Sequence, residues 1–82
     1  MASPLRIQMN GQQHIIEDLS SPAALANVVQ SLGLKGDRIA VELNGQIIPR
    51  TSWSEVQIVD GDRLEIVHFV GGGASAFPSK AL

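Results

Sequence analysis

The chain has 82 residues, a formal net charge of −2 and no cysteine, which bounds it to one small domain with a single core. Disulfides, thiolate metal ligands and a thiol nucleophile are thereby excluded, and the two histidines, His14 and His68, lack metal-ligand spacing, so no metal is expected. The six basic residues are scattered, which argues against nucleic acid, and no signal peptide or membrane-length apolar run is present, so a cytoplasmic protein is expected.

Leu5, Ile7 and Met9 alternate with Arg6, Gln8 and Asn10, the period of a half-buried strand. Asn10-Gly11 supplies the positive φ angles of a tight hairpin, and Gln13 to Glu17 form its return. Ser21 as N-cap and Pro22 at the first helical position predict a helix over 22–32. Leu25, Val28, Val29 and Leu32 make its apolar stripe, and Gly33 suits the left-handed position that ends it.

Ile39, Val41 and Leu43 mark a strand over 38–43, and Asn44-Gly45 a second hairpin leading into Gln46-Ile47-Ile48. Pro49 cannot donate to a ladder, so it ends that strand or confines it to an edge. Thr51 to Glu55 read as a short turn with Trp53 as an apolar anchor, and Asp60-Gly61-Asp62 as a third turn. The longest strand then spans 63–70, with Leu64 and Ile66 facing the core and Val67 and Phe69 the other way. Those last two are either ordinary packing on a central strand or a candidate partner interface.

Placing the first and last strands side by side through a right-handed helical crossover buries both best. The expected fold is therefore α+β: a ubiquitin-like β-grasp, with a mixed sheet of four to five strands packed on one main helix. Gly71-Gly72-Gly73 follow the last strand directly. Lacking a Cβ, three glycines form a thin segment reaching roughly 10 Å when extended. They suit either a passive linker or a tether that feeds a carboxylate into a partner's narrow site.

Residues 5–73 resemble the ThiS family of small sulfur carriers in thiamine biosynthesis. The resemblance rests on Val41-Glu42-Leu43-Asn44-Gly45-Gln46-Ile47-Ile48-Pro49-Arg50 with Trp53, on Asp60-Gly61-Asp62-Arg63-Leu64-Glu65-Ile66-Val67, and above all on His68-Phe69-Val70-Gly71-Gly72-Gly73. It implies a protein co-substrate rather than an enzyme, with no catalytic residue of its own and no stably bound cofactor. An E1-like adenylating enzyme of the ThiF type would use ATP and magnesium to activate the carboxylate of Gly73. Sulfur from a donor such as a cysteine desulfurase would convert it to a thiocarboxylate, and a thiazole synthase of the ThiG type would accept that sulfur. Gly71 and Gly72 would form the flexible tail. A carrier for molybdopterin or another metabolite would share the same fold and ending.

Residues 74–82 depart from the family pattern, because an internal Gly73 carbonyl is an amide and cannot be adenylated. The expected organisation is a β-grasp domain over 1–73 and a flexible extension over 74–82, disordered or removed. A protease that trims the extension would free the Gly73 carboxylate. The other readings are an artificially appended stretch and a non-catalytic ubiquitin-like interaction module.

Overall fold

A computed structural model of the chain describes residues 3–69. The expectations placed on Gly71, Gly72, Gly73, residues 74–82 and the boundary at 73 lie outside those residues. The elements are β1 (Leu5–Met9), β2 (Gln12–Ile16), β3 (Ala23–Ala24), α1 (Leu25–Ser31), β4 (Ile39–Leu43), β5 (Gln46–Ile48), β6 (Gln57–Ile58) and β7 (Arg63–His68). Short 3-10 turns cover Gly36–Arg38 and Arg50–Ser52. Five strands form one sheet in the order β2-β1-β7-β4-β5, and β3 pairs with β6 in a small second sheet. β1 and β7 run parallel while the remaining neighbours are antiparallel. This is the expected β-grasp, with the last strand at the centre.

Both hairpins form as the Asn-Gly signals require. Asn10 and Gly11 have φ of 51° and 82°, and Asn44 and Gly45 have 51° and 91°. Positive φ at both central residues matches the right-handed twist of the flanking strands. β5 ends at Ile48, one residue before Pro49, and lies at the sheet's edge as expected.

The helix begins later than the sequence suggests. Ala24 is its N-cap, with no side-chain bond, and Ala23–Ala24 are extended, paired with Ile58 and Gln57. The first helical N–H groups find backbone carbonyls instead: Leu25 donates to Val56 at 2.8 Å and Ala26 to Trp53 at 3.0 Å. With those donors satisfied by the 53–58 segment, a side-chain cap is superfluous. Ser21 is released for another task, its hydroxyl accepting from the Asp60 N–H at 3.1 Å. The far end follows expectation. Gly33, at φ 74°, donates to Gln30, and Leu34 donates to Val29, the paired bonds of a Schellman ending.

Leu25, Val28 and Val29 bury one helix face against Leu5, Ile7, Val41, Leu64 and Ile66 of the sheet. Burying such a side chain contributes roughly 1.5–3 kcal/mol, so this interface carries much of the stability. Trp53 closes the side of the core, buried, with its indole N–H donating to the Ile48 carbonyl at 3.0 Å. Its anchoring role was legible; its closest neighbour was not. A Cβ built on Gly36 would lie 3.0 Å from the Trp53 ring. Replacing Gly36 with Ala should therefore cost about 1–3 kcal/mol, the range for overpacking. Urea denaturation followed by Trp fluorescence measures that loss.

Candidate functional site at the end of the last strand

β7 delivers the chain to the glycine run, so its pairing determines where that run leaves the domain. On one side it meets β4, with Glu42 opposite Glu65, Ala40 opposite Val67 and Ile39 opposite His68. The Phe69 N–H donates to the Arg38 carbonyl at 3.0 Å, and the Asn44 N–H donates to the Arg63 carbonyl at 2.8 Å. Odd-numbered residues of β7 therefore direct their amide groups at β4, and even-numbered ones direct theirs at β1.

The β1 side is shorter. Gln8 stands beside Arg63 and Met9 beside Leu64, and the Asn10 N–H donates to the Leu64 carbonyl at 2.9 Å. There β1 turns away, and a side chain replaces it. The Asn10 side-chain oxygen accepts from the Ile66 N–H at 2.8 Å, and its amide nitrogen donates to the Ile66 carbonyl at 3.4 Å. One carboxamide thus acts as an extra rung of the ladder. Asn44 makes a related clasp at the other end of β7, accepting from the Arg63 N–H at 3.0 Å and donating to the Asp62 carboxylate at 3.1 Å. The sequence marks both asparagines only as turn residues. Their side-chain roles depend on which strand the turn adjoins, and that is a tertiary fact.

Beyond Ile66 the β1 side of β7 is open. No described residue bonds the N–H or the carbonyl of His68. The His68 side chain is exposed.

Side chains of the five-stranded sheet divide cleanly between its two faces. Leu64 and Ile66 lie against the helix layer, as expected, while Glu65, Val67 and Phe69 point outward. Val67 and Phe69 are half-buried, and Ala40 stands beside Val67. Ile47 joins the same outer face across from Glu42 and is 68% exposed. It is an apolar contributor that sequence reading missed, because alternation along a three-residue strand is too short to assign its face. A shallow depression of about 260 Å³, lined by Gln8, Glu42, Arg63 and Glu65 among others, lies near the two Asn-Gly turns, towards the start of β7. Among the described residues no three His, Asp or Glu side chains gather as metal ligands. No described helix is long and apolar enough to cross a membrane.

A central strand running straight into three glycines, with an open outer face beside it, is an arrangement shared with known proteins. The model of the ThiS family matches residues 7–73. The chain belongs to the ThiS family. A sulfur carrier protein ThiS from Bacillus subtilis is 34% identical over 67 residues, covering 82% of this chain and 98% of that one. The ThiS structure from Geobacter metallireducens superposes with a TM-score of 0.72 at 26% identity, covering 84% of this chain and all of that one. A thiazole synthase of Paramagnetospirillum magneticum is 34% identical over 70 residues, 85% of this chain. This chain spans only about a fifth of the length of that enzyme and of its counterpart from Magnetococcus marinus. A ThiS-like domain therefore also occurs within longer chains that carry the thiazole synthase name.

The Asn10 rung has a measurable worth. Replacing Asn10 with Ala leaves the part-buried Ile66 N–H without its acceptor, which should cost about 1–3 kcal/mol. Hydrogen exchange at Ile66 should accelerate more than at Leu64, whose carbonyl partner is the Asn10 backbone and survives the change.

Proposed function

We propose that this ThiS-family protein carries sulfur as a thiocarboxylate on Gly73 and donates it for thiazole formation in thiamine biosynthesis. The observation that carries the reading is the family match itself, which runs through the whole described domain and ends at Gly73. The thiazole synthases that contain a similar domain support thiamine over molybdopterin as the destination.

The chemistry makes sense of a scaffold that offers no reactive group. A carboxylate resists nucleophiles because its charge is shared by two oxygens. A ThiF-type adenylating enzyme, with ATP and magnesium, forms the acyl adenylate at Gly73 and releases pyrophosphate. A hydrosulfide equivalent then attacks the acyl carbon and AMP departs, leaving the thiocarboxylate. Where the sulfur arrives as a persulfide from a cysteine desulfurase, a thiol must also cleave the resulting acyl disulfide. The sulfur is then nucleophilic and passes to a ThiG-type synthase. Glycine at 71, 72 and 73 keeps the segment narrow enough for both enzyme channels.

Activation requires a free acid at 73, so residues 74–82 must be removed first, by a protease in this reading. A version ending at Gly73, incubated with ATP, magnesium, a ThiF-type enzyme and a sulfur source, should gain the mass of sulfur replacing oxygen. The 82-residue chain should not. If neither chain gains that mass with a competent adenylating enzyme, the sulfur-carrier reading is wrong.

The outer face next to the tail is the natural seat for the adenylating enzyme, because whatever holds Gly73 must also abut Val67 and Phe69. Changing Val67 to Asp should lower thiocarboxylate formation at subsaturating enzyme, on the order of tenfold for about 1.4 kcal/mol of lost docking. Its circular dichroism should stay native. Equal turnover of both proteins would place the docking surface elsewhere.

A further inference from the structure

We propose that the outward amide groups of His68 form a strand-addition site, at which an extended segment of the tail-receiving enzyme pairs with β7 in line with β1. This rests on the sulfur-carrier reading and specifies how the partner grips the domain. Three observations converge on it. The parallel ladder between β1 and β7 stops at Asn10, so β7 outlasts its neighbour. The Asn10 carboxamide already fills the next position by bonding both the N–H and the carbonyl of Ile66, which shows that this edge accepts an amide there. One rung further, the His68 N–H and carbonyl face the same side with no partner among the described residues.

An unpaired strand edge is a template for another chain, and proteins usually shorten, charge or cover it. Here the edge is uncovered at the point where the chain heads for Gly73, so an enzyme enclosing the tail must pass it. Main-chain bonds of this kind supply affinity, and alternate side chains supply specificity. An added strand would lay every second side chain beside the half-buried Val67 and Phe69 on the outer face. The occupant that fits is therefore an extended enzyme segment with an apolar residue on that side.

Backbone and side chain are separable here. His68 directs its N–H away from β4, so His68→Pro deletes the outward donor and leaves the β4 ladder intact; proline is tolerated in strands at such outward-facing positions. His68→Ala keeps the donor and loses the ring. Both variants, ending at Gly73, would be checked for native circular dichroism and titrated against purified ThiF-type and ThiG-type enzymes by calorimetry. Binding to at least one enzyme should weaken roughly tenfold for His68→Pro, the worth of about one hydrogen bond, and remain near wild type for His68→Ala. In the wild type, the His68 amide should exchange on the order of tenfold or more faster than Val67 and Phe69 in the free protein, and become protected on adding that enzyme.

Unchanged binding by His68→Pro to both enzymes, or equal losses in the two variants, would overturn the site while leaving the sulfur-carrier reading standing. So would protection of the His68 amide in the free protein that grows with its concentration, which would assign the edge to a second copy of this chain. A misfolded His68→Pro shifts the decision to the exchange measurement on the wild type, where an amide left unprotected by a bound enzyme overturns the proposal. Failure of the wild type to engage either enzyme would overturn the sulfur-carrier reading and this site together.

Discussion

The structure depends on β7 being held from both sides. Its Leu64 and Ile66 side chains reach into the core beside Leu5, Ile7 and Val41, so displacing this strand would open the core itself. Two hairpins that are remote in sequence supply its neighbours, and each sends an asparagine side chain to the β7 backbone. The 60–62 turn completes the restraint. Asp62 accepts from the Val59 N–H and the Asn44 amide, while Asp60 accepts from the Arg6 N–H. The start of β7 is thus fixed by hydrogen bonds to β1, to the β4–β5 turn and to its own lead-in.

That restraint explains how a protein without reactive side chains can take part in chemistry. The core face of the sheet carries stability and the outer face is left for recognition, because side chains alternate along each strand. Val67 and Phe69 project from the same strand that feeds the glycine run, so position on one face and direction of the chain's exit are set together. A partner that docks against them receives Gly71 and its successors at a defined starting point.

Much of this was legible in the residues. Alternation found β1, β4 and β7, the Asn-Gly pairs found both hairpins, and Pro49 marked the end of an edge strand. The helix start was misread because Ser21 and Pro22 carry the local chemistry of a cap, whereas the decisive donors and acceptors come from Trp53 and Val56, some thirty residues away. Local signals cannot report a partner that only folding brings near. The same limit hid the Asn10 rung, the exposure of Ile47 and the packing of Gly36 on Trp53. The glycine run, by contrast, declares itself without a fold, since its importance lies in chemical composition rather than in contacts.

Laying the first strand against the last has a consequence for biosynthesis. Met9 and Leu64 are neighbours in the sheet although most of the chain separates them. While a ribosome is still making the protein, β1 and β2 have no central neighbour to join, and the helix has no complete surface to cover. Long-range pairing of this kind forms late. The domain must therefore assemble around the end of translation, when β7 has cleared the exit tunnel, and a prematurely terminated product lacking that strand would leave the proteolytic machinery an unfolded chain to degrade.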